Sequence, residues 1–325
     1  MIRSEAMSRL ISGHVFLKLD LLQPSGSFKL RGIGRTVTEA KKRGACGIVS
    51  SSGGNAGLAA AYACREVGLP ITVVVPETTK VHTQHLLRHY GAEVAVHGSE
   101  WNAAHAFATR LAEENEFHMI HPFEGISTWE GHATVVDEIQ SQWANATLSF
   151  PSLPNKPDKI VTVCGGGGLL MGIMQGLDAV GWERVPIVVC ETEGASSFSK
   201  SFESGRVVEL DRIDSIATSL GSKVVSGDVV AAAVSRGPER IRPFVTTDQK
   251  AVEGCVALAN DERLLVEPAC GVTLAYLEEN AEGLHGQSIV LEVCGGSNIS
   301  LPILQQYCTA FDVPISRSVG DAFSL

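Results

Sequence analysis

Short, uninterrupted apolar runs alternate with helix-like stretches along most of the chain, and this restricts the fold more than any other feature. Ile71-Thr72-Val73-Val74-Val75, Ile160-Val161-Thr162-Val163 and Ile289-Val290-Leu291 have strand length and no polar alternation. Runs of this kind need cover on both faces, which implies parallel strands joined by helices. The pattern predicts a helix over 2–13, a strand at 15–20, a helix over 27–43 and a strand at 46–50. A helix over 55–67, a strand at 71–76, a helix over 80–90 and a strand at 93–97 follow. A helix over 102–115, a strand at 118–121 and a helix over 128–143 end the first series. Residues 144–158, rich in Pro, Ser and Asn, make the sharpest break in composition. The second series has a strand at 159–163, a helix over 168–180, a strand at 186–190 and a polar region over 192–225. Helices near 248–260 and 270–280, a strand at 288–293 and a last helix from about 299 complete it. The expected fold is α/β: two doubly wound domains with mostly parallel sheets facing one cleft.

At 325 residues the chain has room for about two domains. A formal charge of −10 argues against nucleic acid, whose phosphates call for a basic face. None of the eight cysteines forms a C-x-x-C pair, and most sit in apolar runs such as Val188-Val189-Cys190. That pattern implies buried, reduced thiols, as in a cytoplasmic protein, instead of disulfides or a zinc site. Met1-Ile2-Arg3-Ser4-Glu5-Ala6 does not read as a signal peptide, and no apolar run spans a bilayer, so no membrane partner is expected.

Four strand–turn–helix segments carry the candidate chemistry. Val15 to Asp20 leads into Pro24-Ser25-Gly26-Ser27-Phe28-Lys29, which places an amine in the first turn of a helix, where sheets of this class hold ligands. Taken alone, such a lysine also reads as a solvated surface residue. Ser50-Ser51-Ser52-Gly53-Gly54-Asn55-Ala56-Gly57 reads either as an anion site at a helix start or as a serine-capped helix after a flexible turn. Cys164-Gly165-Gly166-Gly167-Gly168-Leu169 holds four consecutive glycines, whose entropic cost is better explained by a phosphate cradle than by packing. A dinucleotide site fits poorly, because the third glycine of G-x-G-x-x-G would be Leu170 or Met171. Cys294-Gly295-Gly296-Ser297-Asn298 ends the last strand; its cysteine reads as ligand-facing or as an inert buried thiol. His82, His85 and His89 share a helical face, which reads as a solvated face before it reads as a metal site.

In that order, these segments resemble the pyridoxal-phosphate L-serine/L-threonine dehydratases. Among fold-type II (tryptophan synthase β-like) enzymes, the catabolic serine dehydratases and their dehydratase-like relatives are most similar. The likeness runs from about Ile2 to Leu304 and includes Trp129-Glu130-Gly131-His132-Ala133, Gly181-Trp182 and Val266-Glu267-Pro268-Ala269-Cys270-Gly271. It implies a large, discontinuous cofactor domain over 1–30 and 125–325, and a small substrate-gating domain over 31–124. It further implies that Lys29 forms the Schiff base with pyridoxal 5'-phosphate and then serves as base at the substrate Cα. Phe28 would pack on the ring and Asn55 would bond its hydroxyl. Ser52, Gly53, Gly54, Asn55 and Ala56 would take the substrate carboxylate, and Gly165, Gly166, Gly167, Gly168 and Leu169 the phosphate. Cys294 would face the pyridine nitrogen as a largely neutral thiol, leaving that nitrogen unprotonated. Gly165, Glu191, Ala195, Leu220 and Ser222 match positions that hold a monovalent cation such as K+ in relatives; for Glu191 a strand-end salt bridge is the other reading.

The implied reaction is α,β-elimination: L-serine to pyruvate and ammonia, and L-threonine to 2-oxobutanoate, in a homodimer. Several positions depart from the pattern. Gly53 stands where racemases carry a serine hydroxyl on the opposite substrate face, which argues against racemisation. Ser196 replaces a histidine, and Ser219 an alanine found under the ring. The start at Ile2 lacks the usual extension, which puts the family's dimer contacts in doubt, and no regulatory domain for isoleucine feedback is expected before Leu325. Two rival functions stand beside this one: β-replacement of the cysteine synthase type, whose loop usually reads Thr-Ser-Gly-Asn-Thr, and a non-catalytic nucleotide-binding regulator, which would leave Lys29 idle.

Overall fold

The structure is a computed structural model that describes residues 1–321; the expected boundary at Leu325 lies outside them. By contacts the chain separates into two compact units, Met1–Leu21 with Ala133–Leu325, and Leu22–His132.

The first unit begins with β1 (Ile2–Ser4), α1 (Glu5–Leu10) and β2 (His14–Leu19). The second unit then carries α2 (Lys29–Lys42), β3 (Ile48–Ser50), α3 (Asn55–Val67), β4 (Ile71–Val75), α4 (Val81–His89), β5 (Glu93–Val96), α5 (Trp101–Glu114) and β6 (His118–Ile120). The first unit resumes at Ala133 within α6 (Ile126–Ser149) and goes on with β7 (Lys159–Val163), α7 (Gly168–Ala179), β8 (Ile187–Thr192), α8 (Ser197–Ser204) and α9 (Gly227–Arg236). It ends with β9 (Ile241–Thr246), α10 (Asp248–Glu262), α11 (Pro268–Glu279), β10 (Ser288–Val293) and α12 (Leu301–Ala310).

The first unit's sheet has the order β1-β2-β10-β7-β8-β9, and the second unit's has β5-β4-β3-β6. Every described pairing is parallel except β1 with β2. Every residue of β4, β7, β8 and β10 is buried, as their unbroken apolar runs require. In the second unit, Ile33, Val37, Ile48, Leu58, Ile71 and Leu87 form one core, while Val49 and Val74 pack with Ala104, Ala108 and Ala112 of α5 in another.

Four expectations are corrected. Residues 2–13 hold a strand before the helix: Ile2 pairs with Leu17, and Ser4 caps α1 by accepting from the Met7 N–H. α6 runs on to Ser149, so the expected loop starts later, and the composition break lies inside the first unit. The polar region over 192–225 contains α8. β9 and α9 are additional; β9 tolerates Pro243 because it is an edge strand that pairs only with β8.

His82, His85 and His89 are exposed on α4. Seven of the cysteines are buried and Cys46 is exposed, and none forms a disulfide among the described residues. Among the described residues, no helix is long and apolar enough to cross a membrane.

Candidate active site

In the second unit, β3 and β6 are parallel neighbours with Ser50 opposite Ile120. The segments that follow them, Ser51–Gly54 and His121–Gly125, therefore leave the same carboxyl edge side by side. Lys29 is the first residue of α2, which starts without a side-chain cap. Its Nζ donates to the Pro122 carbonyl at 2.8 Å, which brings the amine to that edge beside the serine–glycine segment. The Phe28 ring lies 5.2 Å from that of His132, tilted by 50°. His132 is fully buried with neither ring nitrogen hydrogen-bonded, and burial holds its pKa well below the usual range, so the imidazole is neutral.

The serine-capped reading of 50–57 does not hold. Gly54 is the N-cap of α3 and no side chain caps that start. α1, α10 and α12 do have such caps, from Ser4, Thr247 and Ser300. Asn55 and Ala56 are buried in the first turn of α3, and Ser52, Gly53 and Gly54 lead into it half-buried. Gly57 allows this close turn: a Cβ there would overlap the Ser52 carbonyl oxygen.

In the first unit, β7 lies between β10 and β8, with Val163 opposite Cys190 and Leu291 opposite Val161. By that register Cys164, Glu191 and Cys294 reach the same carboxyl edge on three adjacent strands. Gly167, with φ of 96°, is the N-cap of α7; no side chain caps this helix and no acid lies in its first turn. Gly168 and Leu169 are its first, buried residues. A Cβ on Gly165 would meet the Ser219 carbonyl oxygen at 2.9 Å, and the Gly166 carbonyl accepts from the Ser226 N–H at 3.2 Å. These glycines thus form a narrow backbone cradle at a helix start, the shape and polarity that suit a phosphate. Cys294 is buried, and its pKa is raised by a hydrogen bond with Cys270 and then by burial, so the thiol stays neutral.

Of the cation candidates, a Cβ on Gly165 would lie 3.4 Å from the Leu220 Cα, and Ala195 is buried just after β8. Ser222 donates its hydroxyl to Val224 and its N–H to Leu220. Among the described residues, Glu191 makes no salt bridge. Its carboxylate accepts from the Phe198 N–H at 2.9 Å, the Ser199 N–H at 2.7 Å and the Ser199 hydroxyl at 2.6 Å, and so caps α8. Burial raises its pKa from the ordinary 4.5 to about 7. The folded state then binds this proton more tightly than the unfolded chain. The contribution is complete below pH 4.5 and is lost as pH rises to about 7. The loss is worth roughly 3 kcal/mol. In Glu191→Gln, denaturant titrations between pH 4 and 8 should lack this decline.

Sequence reasoning overlooked Pro122, whose backbone carbonyl carries no side-chain signature, and Glu267, in spite of the helix-start signal of Pro268 at N1. The Glu267 carboxylate accepts from the Ser219 hydroxyl and, at 2.9 Å, from the Asn298 N–H, so it ties the Ser219 segment to the turn after Cys294.

A profile described as pyridoxal-phosphate dependent enzyme matches residues 1–295. The chain belongs to the pyridoxal-phosphate dependent enzymes. It is 41% identical over 315 residues to mouse (Mus musculus) serine dehydratase-like, covering 94% of this chain and 92% of the relative. It is 42% identical over 313 residues to human (Homo sapiens) L-serine dehydratase/L-threonine deaminase, covering 93% and 91%. The crystal structure of an L-serine ammonia-lyase from the fungus Rhizomucor miehei superposes with a TM-score of 0.84 at 30% identity, over 95% of this chain and 97% of that one.

Proposed function

We propose that this enzyme is a dehydratase that eliminates water from L-serine, and also from L-threonine, to give ammonia with pyruvate or 2-oxobutanoate. The observation that carries this reading is the Lys29 amine, held at 2.8 Å by the Pro122 carbonyl beside the Ser52–Asn55 segment. Lys29 would hold the cofactor, and its amine would take the proton from the substrate Cα. A hydrogen bond to the Pro122 carbonyl orients the amine. The backbone N–H groups from Ser52 to Ala56 at the uncapped start of α3 take the substrate carboxylate, helped by the helix dipole. Asn55 would bond the ring hydroxyl and Phe28 would pack on the ring. The backbone from Gly165 to Leu169 takes the phosphate. Bound pyridoxal phosphate supplies the electron-withdrawing ring that acidifies the Cα–H bond. Cys294, kept neutral, would place no negative charge beside the ring, which suits an elimination. Gly53 offers no second base, so racemisation is disfavoured.

The purified enzyme should be yellow and should release pyruvate from L-serine and 2-oxobutanoate from L-threonine. Sulfide-dependent cysteine formation from O-acetylserine that outpaces pyruvate release would overturn the reading. We assign the K+ site to Glu191 with Gly165, Ala195, Leu220 and Ser222. A cation there favours the ionised carboxylate, so K+ should stabilise the protein more at pH 7 than at pH 5; equal effects would count against the site. A homodimer in the cytoplasm completes the proposal, and light scattering checks the first part of it.

A further inference from the structure

The Ser52–Asn55 segment is held from outside the proposed substrate contacts by one residue and two aromatic rings. Ser51 is 2% exposed and immediately follows β3. Trp101, the first residue of α5, donates its indole N–H to the Ser51 carbonyl at 3.1 Å. His105, one turn further along, shares a hydrogen bond of 2.8 Å between its Nδ1 and the Ser51 hydroxyl. The two rings stack on each other, 4.7 Å apart and within 18° of parallel. Both polar ends of Ser51 outside the strand are thus claimed by one helix face. That helix is itself anchored, because Ala104, Ala108 and Ala112 pack under β3 and β4 with Val49 and Val74.

Trp101 remains 49% exposed, so its burial alone does not explain its position. Its indole N–H and ring face are both used, and both uses fix Ser51. Downstream of Ser51 the chain has little conformational restraint of its own, since Gly53 and Gly54 come just after Ser52. Fixing Ser51 sets the direction in which the next N–H groups point.

We propose that His105 and Trp101 are positioning residues for substrate binding: by holding Ser51 they preorganise the N–H groups of Ser52–Asn55 for the carboxylate of an amino-acid substrate. This rests on the carboxylate assignment made under the proposed function. The carboxylate is bound alike before and during proton removal, so loosening its site weakens binding uniformly and raises KM while leaving kcat. The loss of one buried hydrogen bond to a loop predicts a KM about five- to tenfold higher. Asparagine can place an amide atom near the position of Nδ1, whereas leucine fills the space without a polar atom.

The test is steady-state kinetics with L-serine on the holoenzyme for His105→Asn, His105→Leu, Ser51→Ala and the Ser51→Ala/His105→Leu double variant. The expected result is a KM near wild type for His105→Asn, raised for His105→Leu and for Ser51→Ala, and no further rise in the double variant. kcat should stay within about twofold and the visible absorbance unchanged, because Lys29 is untouched. Faster amide hydrogen exchange over 52–57 in His105→Leu would accompany the change in KM. If His105→Leu fails to fold, Ser51→Ala carries the same expectation. Wild-type KM in both His105→Leu and Ser51→Ala, or a loss confined to kcat, would overturn the positioning role while leaving the dehydratase reading intact. A wild-type enzyme that turns over no L-serine would overturn that reading, and the positioning role with it.

Discussion

Lys29→Ala should lose turnover of L-serine by more than about 10⁴-fold, because under the proposed function one side chain is both the covalent anchor and the base. The visible absorbance should disappear with it. Lys29 is only half-buried, and its Nζ contact is to the exposed-side loop carrying Pro122, so the fold should survive. Far-ultraviolet circular dichroism and the unfolding midpoint therefore serve as controls. Lys29→Arg separates charge from nucleophilicity: it keeps a cation at the same edge but offers no amine that exchanges with an aldehyde, and it should be as inactive as the alanine variant. Retained colour in either protein would mean that another lysine holds the cofactor.

Gly57→Ala should reverse the usual sign of a helical glycine substitution. In an exposed helix interior, Gly→Ala stabilises by about 1 kcal/mol. At Gly57 the new methyl group would overlap the Ser52 carbonyl oxygen, and that backbone leads directly to the proposed carboxylate contacts. Overpacking of this kind costs about 1–3 kcal/mol. Displacing the Ser52–Asn55 N–H groups should also raise KM for L-serine more than tenfold, a larger effect than losing the bond between Ser51 and His105, about one hydrogen bond's worth. Gly34→Ala in α2 is the matched control: its new Cβ would meet only the Leu30 side chain, at 3.6 Å or more, and should be tolerated. Urea titrations and initial rates on the two variants check both signs. A Gly57→Ala protein as stable and as active as wild type would show that the turn relaxes freely.

Where burial alone dictates residue type, the chain could be read directly. β4, β7, β8 and β10 are buried from end to end, and their apolar runs announce it. β1 was hidden because three residues are too few to show a period, and β9 because Arg242 and Pro243 interrupt its run. Only the edge position, a property of the whole sheet, makes that proline acceptable. α6 runs past Asn145 and Thr147, both weak helix formers, to Ser149. Trp143 is anchored there by packing edge-on to Phe16, with ring centroids 5.3 Å apart, and by donating to the Pro154 carbonyl at 2.9 Å. Tertiary contacts override weak propensity in such places.

The site divides in the same way. The glycine turns and Lys29 were legible because special backbone geometry and reactive side chains leave marks in the sequence. The Pro122 carbonyl, the Ser219–Glu267–Asn298 link and the hold of α5 on Ser51 left none, since each joins residues far apart in the chain. Glu191 shows the limit most clearly. Its strand-end position was apparent, but the α8 amides that occupy its carboxylate were not.

The central claim is that Lys29 is the residue that carries the cofactor. Borohydride reduction of the purified holoenzyme fixes pyridoxal phosphate covalently on the lysine that holds it, and peptide mass mapping locates that lysine. The added mass should fall on the peptide containing Ser27-Phe28-Lys29, with none on any other lysine, and pretreatment with L-serine should reduce the labelling. Label on a different lysine, or none on a yellow protein, would contradict it.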